Sequence, residues 1–509
     1  MRVVLQHVLS AVVAFALLGG ALAPLPARAD DAAALLAKHR AYVGWQLGDG
    51  SVPGLQLTRE FRTSKGKLTQ RATEIRAGML LRRDYSDAKT GLTDSLGFTG
   101  HVFWETNYNG FVTPIVGTGA SFQLAVDVLL SEGTSELPGT LHGTGTVDGK
   151  TYPIVRVAMG GATPIDLYVD PQTGAYVRAV VDPGGSEETS YTIASYMTIA
   201  PGKRMIGSFR IGDGGGIFTY TKSHIDPAVT AAELHPPAPQ ARWAFTNDRP
   251  FKIQVTGDRI YVDATVNGVL GTFILDTGDS GITLTDQFAD RAKVASITDS
   301  SAWGIGGVFK TRTRRAKTIE IGGNTLSNTI VQTYNNQYPR KSDRVNPDGL
   351  IGFDLLAGAM VTLDTANQTM QIQNPATASL NTSAGLPLLV ELSSDTPSVP
   401  VTLDHKVTIE ATFDTGDPSL IIFSADLLDH GLTILTGRAI VGGMGGTELM
   451  RCGQIDSINL GPIVYQTPVA CASHEFSKHA GLIGLDFLRH FNFIFDYPQS
   501  IIVMTPHKQ

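Results

Sequence analysis

Alternating apolar and polar positions, cut by turn dipeptides, run through most of this chain, and that period-two pattern predicts strands rather than helices. Residues 259–266 and 269–275 alternate on either side of Asn267-Gly268, a sequence that closes a two-residue hairpin. Upstream, residues 55–61, 70–75 and 101–106 read as short strands. Turns at Asn109-Gly110, Asp148-Gly149, Asp170-Pro171-Gln172-Thr173-Gly174 and Asp213-Gly214 punctuate that region. Leu167-Tyr168-Val169 and Ala175-Tyr176-Val177-Arg178 flank the third of these as a hairpin. One segment has a helical composition: residues 31–40, rich in Ala and Leu and opened by Asp31 as an N-cap. The pattern predicts a short helix and an antiparallel meander over residues 30–235. A stiff linker over 236–244 follows, around His235-Pro236-Pro237-Ala238-Pro239.

From about residue 245 the pattern occurs twice. Asp276-Thr277-Gly278 follows the apolar run Thr272-Phe273-Ile274-Leu275. Asp414-Thr415-Gly416 follows Ile409-Glu410-Ala411-Thr412-Phe413. Each copy continues to a glycine-rich tip, Gly304-Ile305-Gly306-Gly307 and Gly443-Met444-Gly445-Gly446. Each then reaches Leu350-Ile351-Gly352-Phe353-Asp354 or Leu482-Ile483-Gly484-Leu485-Asp486. The three landmarks are offset by 138, 139 and 132 residues, so the unit is duplicated. The expected division is one lobe over 245–384 and a second over 385–509, with residues 385–396 joining them.

Composition narrows the class. Charged residues make up 17% of the 509 and glycine contributes 55, as suits a β-rich protein with ample core. A net charge of −7 without a basic stripe argues against nucleic acid as a partner. Residues 1–29 read as a cleaved export signal: Arg2, an apolar stretch over 8–22, then Ala27-Arg28-Ala29 before Asp30. The alternative is an uncleaved anchor. No later stretch is apolar enough to span a bilayer, so a periplasmic or secreted location is expected. The two cysteines, Cys452 and Cys471, lie nine residues either side of Gly461-Pro462. A hairpin closed there would bring them together as a disulfide, which an exported compartment permits; two buried free thiols are the alternative.

The ordered, duplicated set resembles the lobes of retropepsin-like and pepsin-like aspartic peptidases. It comprises Asp-Thr-Gly after a strand, the Gly-Ile-Gly-Gly tip with Val308-Phe309-Lys310 and Arg312 behind it, Ile319-Glu320-Ile321-Gly322, and Leu-Ile-Gly. The resemblance covers about residues 245–507. It implies a mainly β fold: an N-terminal curved antiparallel sheet plus a two-lobed acid-protease-type β-barrel unit, with the lobes pairing within one chain. It implies an aspartic endopeptidase in which Asp276 and Asp414 share one proton and activate a water, one as base and one as acid. Two such carboxylates about 3 Å apart at an effective dielectric of about 20 repel by roughly 5 kcal/mol, so the pair titrates as a unit. By the same likeness Thr277 and Thr415 lock the loops by crossed hydrogen bonds. Gly278 and Gly416 allow close approach, and the two tips form flaps over a peptide or protein substrate bound as an extended strand. The likeness calls for no organic cofactor and no metal. This chain departs from the family at the position after each Asp-Thr-Gly, where Asp279 and Asp417 replace a small residue. A second carboxylate there would raise the dyad's pKa, or accompany loss of activity.

The N-terminal helix and meander, with Phe103-Trp104 and the hairpin at 167–174, resemble the periplasmic lipoprotein-carrier half-barrels, in which a sheet wraps a helix and can hold lipid. An unrelated β-region acting as a spacer or docking element is the alternative. Three other motifs carry no weight. Gly278-Asp279-Ser280-Gly281 copies a serine-nucleophile sequence, but the second repeat reads Gly416-Asp417-Pro418-Ser419. His474 and His479 are five apart and share no helix face for a metal. Gly214-Gly215-Gly216 lacks a phosphate-loop lysine. Two competitors to a peptidase remain: a silent peptide- or lipid-binding protein, and a zymogen-like chain whose residues 30–240 cover the cleft.

Overall fold

A computed structural model describes residues 29–159, 163–185, 187–212, 214–256, 258–335, 346–392, 395–418, 421–430, 432, 436–476 and 480–507. The expected signal, apart from Ala29, lies outside these, as do Ser419 and His479 of the rejected motifs.

Strands between Leu55 and Ile225 form one thirteen-stranded antiparallel sheet, with Val112–Ile115 at one edge and Gly139–Val147 at the other. Helix Ala29–Val43 packs into it, burying Ala32, Leu36 and Val43 with Leu167, Val169, Tyr176 and Phe209. A second helix, Gly117–Leu130, does not follow from the sequence pattern. Phe122, Leu124, Val126, Val128, Leu129 and Leu130 fall on more than one side of it, so no 3.6-residue period shows, and its last turn and a half, from Ala125 to Leu130, is buried. Its Asp127 is fully buried and bonds Arg76, within a buried ionic cluster that includes Glu74 and Arg83. Arg59 lies beside these under the rings of Phe218 and Tyr220.

The two repeats build two nine-stranded sheets with the same central order. In the first, Ile282–Thr285 lies between Asn324–Tyr334 and Gly349–Ile351, and the latter pairs in parallel with Val269–Leu275. In the second, Ile421–Ser424 lies between Val469–Ser473 and Ala480–Ile483, and the latter pairs in parallel with Val407–Phe413. The predicted Asn267-Gly268 turn is present, both residues at positive φ (49° and 83°), the backbone that a right-twisted two-residue hairpin requires.

A six-stranded sheet ties the lobes together. Met360–Asp364 of the first repeat pairs with Phe491–Asp496 of the second, Val361 facing Phe495. Leu386–Leu389, within the expected connection, is its edge strand against Ile501–Pro506. One hydrophobic core runs through both lobes, including Phe273, Leu275, Phe413, Ile483 and Phe495. Each such side chain contributes about 1.5–3 kcal/mol on burial, so the lobes are joined by apolar packing as well as by strands. The proline-rich stretch ends as structure: Arg242–Ala244 pairs with Asn324–Tyr334, and Ala241 is buried.

Candidate active site

The parallel strand pairs carry the two Asp-Thr-Gly loops to the same place. Asp276 N–H donates to the Ile351 carbonyl at 2.9 Å, and Asp414 N–H to the Ile483 carbonyl at 3.0 Å. Between them Thr277 and Thr415, both buried, exchange two hydrogen bonds and make two more across the lobe boundary. Thr277 N–H donates to Thr415 Oγ1 at 3.1 Å and Thr415 N–H to Thr277 Oγ1 at 3.0 Å. The hydroxyls donate onward, Thr277 to the Phe413 carbonyl at 2.5 Å and Thr415 to the Leu275 carbonyl at 2.7 Å. Every polar atom at this contact is satisfied across the lobe boundary, so neither loop completes its hydrogen bonding alone.

This lock brings the carboxyl groups together. Gly278 N–H donates to Asp276 Oδ1 at 2.9 Å, and Gly416 N–H to Asp414 Oδ1 at 2.8 Å. A Cβ at Gly278 would stand 2.6 Å from the Asp414 carboxyl carbon, and one at Gly416 would collide with the Asp276 carboxyl. Glycine is required because each loop passes under the other's carboxylate. Burial raises the Asp276 carboxyl to about 6, the Asp279 charge adds to the rise, and a hydrogen bond with Asp414, the Gly278 N–H and Arg259 oppose it. Burial and the Asp276 charge push Asp414 well above the ordinary carboxylate range. Enclosed like charges cannot both ionise cheaply, so this geometry holds one proton between two carboxyls.

Asp279 lies next to this pair. Thr283 donates to its Oδ1 at 2.9 Å, while its buried Oδ2 has no hydrogen-bond partner among the described residues. Burial raises it to about 7, and Asp354 and Asp414 add to the rise. Asp417 is buried, and its N–H donates to Asp414 Oδ1 at 3.0 Å. Three further groups carry no local sequence signal for a place beside this pair, although Asp354 ends one of the repeated landmarks. Asp354 is buried behind Asp279, raised to about 6 by burial, and accepts from Asn107 of the N-terminal region at 2.7 Å. The Tyr334 hydroxyl is pushed up to about 12 by burial and by Asp279 and Asp276, so it remains a donor near the dyad. Arg259, buried at the start of its strand, supplies the opposing positive charge.

The two glycine-rich tips meet each other. Gly304 and Gly307 pair at the end of one hairpin, Ala295–Gly304 with Gly307–Ile321. Gly443 and Gly446 do so at the end of the other, Gly437–Gly443 with Gly446–Gln454. Gly306 N–H donates to the Met444 carbonyl at 2.9 Å, and the Gly306 backbone lies too close to Gly446 for any side chain. Gly445 takes φ 90°, and Ile305 packs on the buried cluster of Val441 and Met450.

Cys452 and Cys471 face each other in register and are disulfide-bonded. The ladder joining them has the same register as the hairpin Ser457–Leu460 with Ile463–Gln466, turning at Gly461-Pro462.

Hydrogen bonds join the N-terminal region to the lobes. Asn109 bridges the Ile330 backbone in both directions, at 3.0 and 2.7 Å; Gly119 N–H reaches Glu391 at 3.0 Å; Ser500 reaches the Pro114 carbonyl at 3.0 Å. Among the described residues one such contact touches a flap arm, Lys89 to Thr298 at 2.5 Å.

With this geometry in view, residues 262–355 and 399–487 match the family model described as "Aspartyl protease", one stretch on each lobe. No curated protein matches. Among solved structures, a DUF1329 family protein from Desulfovibrio piger ATCC 29098 aligns at 14% identity over 41% of this chain and 97% of its own, with a TM-score of 0.30. That likeness is too slight to bear on fold or function.

Proposed function

We propose that this chain is an aspartic endopeptidase with one active site shared by its two lobes. The observation that carries the reading is the meeting of Asp276 and Asp414 through reciprocal Thr277–Thr415 hydrogen bonds, under two flaps joined at Gly306 and Met444. The protonated carboxyl polarises a peptide carbonyl while the ionised one takes a proton from a bound water, which attacks the carbonyl carbon. The substrate enters as an extended strand between dyad and flaps, its backbone pairing with the hairpins. The roof must open to admit it, and the hydrogen bond between the tips is the contact that breaks. The disulfide and the apolar N-terminal segment support an exported location.

A silent peptide-binding protein is the second reading, favoured by Asp279, whose charge beside Asp276 opposes its ionisation. Hydrolysis of a mixed peptide library between pH 3 and 8 separates the two. Activity in the parent, abolished by Asp276→Asn and by Asp414→Asn alone while folding is kept, supports the peptidase. Inertness of the parent at every pH rejects it. Activity per chain that falls on dilution would reject pairing within one chain.

A further inference from the structure

Each flap hairpin carries an exposed apolar pair on its outer face. Trp303 stands opposite Val308 in the first, and Ile440 opposite Leu449 in the second. Strand alternation turns their neighbours Val441 and Met450 inward, into the buried cluster with Ile422 and Leu482. The outward four are 50%, 74%, 74% and 60% exposed respectively. Trp303 is held at one edge by Phe476, ring centroids 5.9 Å apart. The outer face of an antiparallel hairpin that meets only water is ordinarily polar, so exposed apolar pairs on both flaps mark a contact surface.

The residues around these pairs are basic. Lys310 and Arg312 continue the outer face of the first hairpin, and Arg438 and Arg451 that of the second. Between positions 299 and 312 and between 438 and 451, the one carboxylate on these faces is Asp299, which faces Arg312; Arg312 also pairs with Asp286 at 3.3 Å, which leaves Lys310, Arg438 and Arg451 as the cations without an acidic partner among the described residues. Arg438 lies directly opposite Arg451, and neither forms an ion pair among the described residues. Like charges in direct cross-strand register repel, an arrangement that an external anion relieves. A chain of net charge −7 thus concentrates positive charge on the roof of its site. A nucleic acid would use the cations but not Val308, Ile440 and Leu449. A second copy of the same face would bring like charges together. Aliphatic and indole side chains among cations are the chemistry of an anionic bilayer surface.

We infer that the outer face of the two flaps docks on an anionic lipid bilayer. Trp303, Val308, Ile440 and Leu449 enter the headgroup region, and Lys310, Arg312, Arg438 and Arg451 meet lipid phosphates. The inference does not depend on what the site hydrolyses.

The test is co-sedimentation of the full chain with vesicles of phosphatidylcholine, alone or mixed with phosphatidylglycerol, with tryptophan emission recorded in parallel. Binding to the anionic vesicles should be on the order of a hundredfold tighter, and should weaken as salt rises. The Arg438→Gln/Arg451→Gln variant should lose on the order of tenfold of that affinity. Lipid should shift the emission to the blue in the parent and not in Trp303→Phe, whichever other segment touches the vesicle. Equal binding to both vesicle types, an emission shift that survives Trp303→Phe, or binding to duplex DNA as tight as to anionic lipid would each overturn the inference. Should a variant fail to fold, the parent's lipid preference, salt series and emission decide the matter.

Discussion

Asn107 donates to Asp354 at 2.7 Å across 247 positions of sequence, and this bond joins the N-terminal region to the acid cluster of the first lobe. Asp354 adds to the charge felt by Asp279, which in turn adds to that felt by Asp276. The matching residue of the second lobe, Asp486, pairs with Arg489 at 2.6 Å near the surface and has no such partner among the described residues of the N-terminal region. The duplicated lobes therefore present unlike surroundings to their two carboxylates, and the N-terminal region sets part of that difference.

Asp354 also makes the stability of the fold depend on pH. Its folded pKa, about 6, lies above the ordinary 3.8 because burial favours the neutral acid. A raised carboxyl contributes stability that is complete below about pH 4 and is lost as pH rises through about 6. The full difference is about 3 kcal/mol. Asp354→Asn should therefore gain on the parent by about 2–3 kcal/mol between pH 4.5 and 7.5 in urea denaturation. A parent-to-variant difference that stays constant over that range would sink the argument.

The Asp-Thr-Gly loops and the glycine-rich tips were legible in the sequence because each is a local motif repeated at near-constant offset, and the disulfide register because Cys452 and Cys471 lie symmetrically about Gly461-Pro462. The acid cluster was not. Asp354 occurs in the same Leu-Ile-Gly-x-Asp context as Asp486, and nothing local separates the buried residue from the exposed one. What separates them is Asn107, brought in by the thirteen-stranded sheet and by Phe111, which joins the core of the lobes. The six-stranded interlobe sheet was hidden for the same reason. Strand Leu386–Leu389 finds its partner more than a hundred residues away, and its alternation looks like that of any connecting segment.

The Thr277–Thr415 lock should be costly to break from either side. Thr277→Val leaves the buried Thr415 N–H without an acceptor and the Phe413 carbonyl without a donor. Unsatisfied buried groups of this kind cost about 1–3 kcal/mol each. We expect a loss of about 2–4 kcal/mol in denaturant unfolding, and a fall in peptide hydrolysis of more than about tenfold as the carboxyls lose register. Thr277→Ser keeps the hydroxyl and should recover most of both. A serine variant as damaged as the valine one would show that the methyl group, not the hydrogen bonds, matters.

The disulfide sits at the root of the second flap, and the two flaps are anchored unequally. The first flap's arm is paired with Asn324–Tyr334 from Arg312 through Ile321. The second flap's arm is paired with Val469–Ser473 over four positions, Arg451 to Gln454, with the Cys452–Cys471 bond among them. The covalent link replaces ladder that this lobe lacks. Closing its loop should contribute about 3 kcal/mol. Cys452→Ser/Cys471→Ser should lower stability by about that much and speed amide exchange over residues 437–454 while leaving residues 295–321 unchanged. Equal acceleration in both hairpins would mean that the bond stabilises the chain globally and not the flap.

Asp279 should move both limbs of a pH profile in one direction. The active dyad carries one negative charge, so the acidic limb reports loss of the first proton and the alkaline limb loss of the shared one. Asp279 raises Asp276, and its interaction with Asp414 is likewise between like charges. Because Asp279 titrates at about 7, it is mostly neutral on the acidic limb and charged on the alkaline one. Its charge therefore acts most strongly in retaining the shared proton above pH 7. Asp279→Asn should shift both limbs downward, the alkaline limb more, with a several-fold loss of kcat/KM at the alkaline end and a smaller gain at the acidic end. Asp417→Asn serves as the comparison, because Asp486, which matches Asp354 in the second lobe, pairs with Arg489. Profiles of parent and Asp279→Asn that superimpose would dismiss electrostatic tuning. An inert parent rescued by Asp279→Asn would instead support the binding protein.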